Sequence, residues 1–262
     1  MLIESKNFSE VIKLLNRPEG KVFSCLSEIQ DIKIAKNHNV ESYYIPFEYI
    51  PPTAKIIIVG ITPGMTQLMS ALNFVQNSIA EGLEQDEILI KVKNESAFCG
   101  ALRVNLIKLL DYVGLDKKLN IDSTSTLFEK NSHLVHTTSV LKFPVFINGK
   151  NYSGSSPNML KNPLMLEMIN RFFVDEIKLL KNALYIPLGS KVGQVLEYLV
   201  REGKLKQEQI LFGLPHPSGA NAERVSYFLE TKQRSNLSSK TNPDLLEKAR
   251  FDILEKIEQY NF

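Results

Sequence analysis

The clearest pattern in the chain is the unbroken apolar run Lys55-Ile56-Ile57-Ile58-Val59, closed by Gly60. A β-branched run bounded by glycine predicts a strand buried on both faces. It stops at once in Ile61-Thr62-Pro63-Gly64, where a proline and two flanking glycines predict a tight loop open to a ligand. Beyond that loop, Leu68, Leu72, Val75 and Ile79 recur at helical spacing and predict a helix with one buried face. The same alternation of strand and helix signals continues down the chain. Ala101–Val113 reads as a helix ended by Gly114, and His133–Leu141 as a second strand. Leu164–Leu180 is a helix with a methionine- and phenylalanine-rich core face. Ala183–Leu188 is a third strand, and Gly189-Ser190 opens a helix that runs to about Val200. Ile210–Gly213 is a fourth strand. Asn242 caps a last helix with Pro243 in its first turn and Leu246, Ala249, Ile253 and Ile257 on its buried side.

Other stretches break the pattern. Residues 1–50 read as an N-terminal helical extension with a loop, its helix capped at Ser9. Charged residues from Glu81 to Glu95 suggest an insertion or flap, and Ile147 to Asn162 is polar enough for a long loop. Four strands separated by helices predict a three-layer α/β/α domain over 1–262 with a central four-stranded parallel sheet. In such sheets ligands bind at the carboxyl ends of strands. Two loops qualify: Gly60–Gly64, and Leu214-Pro215-His216-Pro217-Ser218-Gly219 after the fourth strand, where the prolines stiffen the backbone.

Composition narrows the class without naming it. Hydrophobic content of 44% and charged content of 23% are ordinary for a soluble domain. No run approaches the roughly 18 apolar residues of a membrane helix. The opening Met1-Leu2-Ile3-Glu4-Ser5-Lys6 turns polar too early for a signal peptide, so a cytoplasmic protein with no membrane partner is expected. Cys25 and Cys99 lack any CxxC spacing and read as two reduced core thiols. The four histidines form no metal-binding spacing, and neither metal nor cofactor is expected. A net charge of +2 does not announce nucleic-acid binding. Between Arg224 and Lys240, however, Arg224, Lys232, Arg234 and Lys240 face a single acid, Glu230. That polar segment is either a phosphate-contacting surface or a solvated loop.

Taken together, these motifs resemble the uracil-DNA glycosylase superfamily. Gly60-Ile61-Thr62-Pro63-Gly64 is similar to the first motif of its mismatch-specific branch, and Pro217-Ser218-Gly219 with Arg224-Val225-Ser226 to that branch's second motif. Ser96-Ala97-Phe98-Cys99-Gly100 and Thr137-Thr138-Ser139-Val140-Leu141-Lys142 resemble instead the helix start and middle strand of the thermophilic-type branch. The resemblance runs in order from about Lys55 to Arg224. Relatives of the thermophilic type hold an iron–sulfur cluster on four cysteines. Two cysteines cannot supply it, so no cluster is expected.

The resemblance implies excision of a base flipped out of DNA, with negative charge developing on the departing base. His216 would donate a hydrogen bond to that base, and Thr62 would stand where relatives carry an aspartate or asparagine that positions water. Threonine can hydrogen-bond a water but cannot usefully take its proton at neutral pH. Gly60, Ile61, Pro63 and Gly64 would shape the base pocket. Phe98 is either a stacking platform or a core side chain. Ser139 replaces an asparagine that reads uracil in relatives, so uracil is not the expected base. Ser218 lacks a triad partner and reads as a phosphate ligand, with Gly219, Asn221, Arg224, Lys232 and Arg234 as further DNA contacts. The reading is a monomeric, monofunctional DNA glycosylase for a damaged, mismatched or modified base, a bulky one included. The alternative is a catalytically silent nucleic-acid- or nucleotide-binding protein. A phosphate-handling enzyme using the Gly60–Gly64 loop ranks last, because no GxxxxGK[ST] motif accompanies it.

Overall fold

The computed structural model describes residues 3, 4, 6–15, 22–98 and 100–262. Among them the strands are β1 (Lys33–Asn37), β2 (Val40–Tyr43), β3 (Ile56–Gly60), β4 (Val135–Ser139), β5 (Val145–Ile147), β6 (Lys150–Asn151) and β7 (Leu184–Pro187). Two compact units contain them. One comprises 1–50, 61–97 and 137–179, and the other 51–60, 98–136 and 180–262.

In the second unit β3 and β7 pair in parallel, from Ile56 opposite Leu184 to Val59 opposite Pro187, and every residue of both strands is buried. Their side chains meet apolar surface on both faces, so the runs never alternate with polar residues. Ile56, Ile58, Leu184 and Ile186 join Leu106, Leu109 and Leu110 of the helix Ala101–Tyr112, and Ile253 and Ile257 of the helix Pro243–Gln259, in one core cluster. Burying each such side chain contributes roughly 1.5–3 kcal/mol. The last helix starts as its sequence predicts, since Asn242 Oδ1 accepts from the Leu245 N–H at 3.2 Å and Pro243 occupies the first turn.

The four-stranded parallel sheet is corrected to a mixed α/β arrangement. The strand order is β4-β3-β7 in one sheet and β1-β2-β5-β6 in another, the latter antiparallel at every pairing. Ile210–Gly213 contributes only a bridge from Ile210 to Tyr185. Leu211 N–H donates to the Tyr185 carbonyl at 2.8 Å, but the next rung would need an N–H from Pro187, which proline lacks, and Gly213 leaves extended backbone at φ 104°, so no ladder grows. Gly213 could not carry a side chain anyway, because a Cβ there would lie 2.7 Å from that of Ala249.

The first unit departs furthest from expectation. Among the described residues of 1–50 are the short helix Phe8–Leu14 and the hairpin β1–β2, in place of the expected helical extension. The cap of that helix is Asn7, whose side chain accepts from Glu10 N–H while Glu10 reaches back, and Ser9 lies inside the helix. The charged stretch 81–95 is no flap: Gln85–Ser96 is a helix that buries Ile88, Val92 and Lys93. The expected loop 147–162 begins with the hairpin β5–β6. Its two-residue turn is Asn148-Gly149 at φ 50° and 72°, the pair best suited to left-handed backbone. The helix expected over Leu164–Leu180 runs as Pro163–Met168, one wide π turn over Ile169–Phe173, and Val174–Leu179. Cys25 is exposed rather than in the core, and Cys99 lies outside the described residues. No helix among the described residues is long and apolar enough to cross a membrane.

Candidate functional site

Ile61, Thr62, Pro63, Gly64 and Ser139 lie in the first unit. The loop after β3 is tied down by its own backbone and by the β5–β6 hairpin. Ile61 C=O accepts from Leu141 N–H at 3.0 Å, which places the loop beside the segment that follows Ser139. Thr62 Oγ1 donates to the Phe143 carbonyl at 3.0 Å and accepts from Val145 N–H at 3.0 Å. A hydroxyl has one proton to give. That proton is committed, and one acceptor position remains for a water. Gly64 N–H donates to Gln67 Oε1 at 3.2 Å, and Met65 N–H to Asn151 Oδ1 at 2.9 Å. Two backbone donors that could cradle an anion at the start of the helix Met65–Ala80 are therefore already satisfied. Gly64 itself has φ −92°, which any residue adopts.

Ser139 is buried and its hydroxyl has no hydrogen-bond partner among the described residues. Its neighbours are firmly held. Thr138 Oγ1 donates to Glu176 Oε2 at 2.5 Å, and Lys142 Nζ lies 2.9 Å from Glu176 Oε1. One buried carboxylate thus pins the residues on both sides of Ser139. Glu176, Gln67 and Asn151 carry no motif in the sequence, and only the asparagine–glycine turn hints at the hairpin that presents Asn151.

Gly60, Phe98, His216, Ser218, Gly219, Asn221, Arg224, Lys232 and Arg234 belong to the second unit. Gly60 ends β3 and is buried. Phe98 is half-buried, sits at φ 49° and packs against the core cluster. His216 Nδ1 accepts from Ser218 N–H at 3.2 Å, and Asn105 Nδ2 holds the Pro217 carbonyl at 2.9 Å. An accepting Nδ1 carries no proton, so the neutral ring bears its hydrogen on Nε2. Burial lowers the imidazole's pKa below its usual value, and near pH 7 this tautomer prevails. Gly189, at φ 93°, lets the ring sit close: a Cβ there would be 3.3 Å from His216 Cδ2.

Ser218 begins the short turn Gly219–Asn221, and Asn221 Nδ2 lies 3.4 Å from its hydroxyl. Arg224 donates to Asn221 Oδ1 at 2.9 Å and to the Lys240 carbonyl at 3.0 Å, with no ion pair among the described residues. Lys232 and Arg234 are less available. Lys232 pairs with Glu223 at 3.0 Å, and Arg234 with Asp244 at 2.6 Å and Glu247 at 3.5 Å. These acids lie just outside the stretch in which the sequence shows four cations against the single acid Glu230. Glu223 also accepts from Ser238 and Thr241, which holds its carboxyl down at about 2.

Comparison with known proteins agrees with the motifs. The profile of the Uracil DNA glycosylase superfamily matches residues 47–246. Over 204 residues the chain is 36% identical to the uncharacterized protein YoxB of Bacillus subtilis (strain 168), covering 77% of this chain and 80% of that protein. A crystal structure of wild-type Pedobacter heparinus SMUG2 is 11% identical, aligned over 95% of each chain at a TM-score of 0.40. The family assignment rests on the profile, which spans most of the chain: the chain belongs to the uracil DNA glycosylase superfamily.

Proposed function

We propose that the protein is a monofunctional DNA glycosylase that excises a damaged, mismatched or modified base, including a bulky one, and leaves an abasic site. The observation that carries this reading is the state of His216. Its Nδ1 is occupied by Ser218 N–H and its ring is neutral, leaving Nε2–H as a fixed donor in a half-buried loop. Such a donor stabilises negative charge on a departing base without first reorganising. At position 139 serine is shorter than the asparagine of relatives, which favours a base other than uracil. Phe98 supports the base face. Arg224 and the Ser218 turn take DNA phosphates, with Lys232 and Arg234 exchanging their carboxylate partners to join them.

The hydrolytic water is accepted, at most, by the one lone pair left on Thr62 Oγ1. No side chain of the loop Ile61–Gly64 can take its proton, so departure of the base leads and water attack follows. The commitment of Thr62 also favours a second reading, a DNA-binding protein without catalysis. One experiment separates the two. Duplex and single-stranded DNA carrying uracil, mismatched bases and hypermodified bases are incubated with the protein and scored for abasic sites. Strand-specific abasic sites on at least one substrate are expected. DNA binding with no base released across the panel would establish the silent reading instead.

A further inference from the structure

On the second unit a crevice of about 420 Å³ runs along the helix Ser190–Arg201 and reaches Gly189 and Leu214 beside the His216 loop. That volume lies within the range of small-molecule sites. Ser190, Gly193, Gln194 and Glu197 line one wall, at helical spacings that place them on one face. They extend over about 10 Å at 1.5 Å of rise per residue. The opposite wall is Phe212 followed by Gly213. Phe212 is half-buried and lines the crevice, its Cδ1–Cε1 edge turned to Gly193, where a Cβ would lie at an ordinary contact distance of 3.5 Å. Gln194 and Glu197 are exposed, and their side chains form no hydrogen bond or ion pair among the described residues.

We propose that this crevice binds a nucleobase, guanine in preference to the others. An aromatic flank holds any base by stacking. Selection comes from Glu197. A carboxylate accepts two parallel hydrogen bonds, and charge-assisted pairs of this kind are the strong ones. Guanine alone among the common bases offers two adjacent donors on its pairing edge, N1–H and the 2-amino group. Adenine and cytosine place a single amino group beside an acceptor nitrogen, and uracil and thymine flank one N–H with two carbonyl oxygens. Each of these puts a lone pair against the carboxylate. Gln194, a donor and acceptor one turn away, suits the remaining carbonyl. The guanine can come from a free nucleotide or from an unpaired position in a DNA strand. The proposal does not depend on the glycosylase reading.

The test titrates the full-length protein with GMP, AMP, CMP and UMP by calorimetry, and with single-stranded oligonucleotides of oligo-dT with and without one central guanine. GMP should bind at least roughly tenfold more tightly than UMP, the discrimination of one bidentate pair. Glu197→Gln should abolish that preference without changing Tm. Phe212→Leu, which retains apolar volume without the aromatic face, should weaken GMP binding while keeping the fold. GMP binding with no gain from a guanine in oligo-dT identifies the free nucleotide as ligand, and a gain in the oligonucleotide identifies the strand. Equal binding of GMP and UMP, no binding of any nucleotide, or a Glu197→Gln protein that keeps the parent's preference would each overturn it.

Discussion

His216 can donate through Nε2 while Nδ1 accepts only as long as its ring is neutral. Burial disfavours the charged ring, so its folded pKa lies below the unfolded value near 6.5. As pH falls below 6.5 the unfolded chain takes up this proton first, and stability declines until the folded pKa is passed. Single-turnover cleavage should hold from neutral to mildly alkaline pH and fall on the acid side. His216→Ala should slow the chemical step roughly 10²–10³-fold, the size of losing one preorganised donor. Affinity for DNA should change much less, and cleavage at the parent rate would end the mechanism. Gly189→Ala tests the same ring from behind. Its backbone, at φ 93° and ψ 163°, lies in a region essentially confined to glycine and costs an alanine about 1–3 kcal/mol, and the methyl pushes on Cδ2. A lower Tm together with slower cleavage at unchanged DNA affinity is expected. Phe98 separates packing from stacking. Phe98→Leu retains apolar volume, so stability should stay within about 1.5 kcal/mol of the parent. Loss of the aromatic face should weaken binding to an extruded base by about 1–3 kcal/mol. Unchanged base binding would leave Phe98 as a core residue only.

Among the elements, the helix Gln85–Ser96 departs most from its expectation. Five charged side chains from Asp86 to Glu95 made it look solvated, yet Lys93 is buried with its ammonium donating to Tyr49 and Phe47 carbonyls at 2.8 and 3.2 Å. Burial pulls its pKa down to about 7, opposed by the charge of Glu176. The unfolded chain keeps that proton to about pH 10.4, so between pH 7 and 10 the unfolded state binds more protons and stability rises with pH. Lys93→Met should flatten that rise, read by urea unfolding at pH 7, 8 and 9. A variant with the parent's pH slope would show that Lys93 keeps an ordinary pKa. Helix caps and turns were legible where one or two neighbouring residues set them, as at Asn242-Pro243 and Gly114. The split sheet was not, because pairing β2 with β5 joins residues about a hundred positions apart and no local pattern encodes that partner. Ile210–Phe212 looked like a strand for the opposite reason. Its residues favour extension, but the strand it would pair with ends at Pro187, which has no N–H to give the next rung.

Across the whole molecule, a net charge of +2 gives little long-range attraction to DNA, so binding depends on which cations are locally free. Arg224 forms no ion pair among the described residues, whereas Lys232 and Arg234 are already paired. Affinity should fall with salt, each phosphate contact adding about 0.9 to the logarithmic slope. Arg224→Ala should reduce that slope more than the double change Lys232→Ala with Arg234→Ala. Anisotropy titrations over a salt series would decide it, and an Arg224→Ala protein matching the parent throughout would remove this surface from the DNA interface. By itself the sequence determined the buried strand β3, the loop that ends it, the helices with local caps and the two family motifs. Each of these depends on neighbours within a few residues or on a short string of side-chain types. Tertiary structure alone decided that Thr62 gives its proton to Phe143, that His216 keeps its hydrogen on Nε2, and that two of the cations are neutralised. A hydrogen bond or ion pair depends on which partner lies within about 3 Å, and distant segments supply Phe143, Asp244 and Glu247 only after the chain has folded.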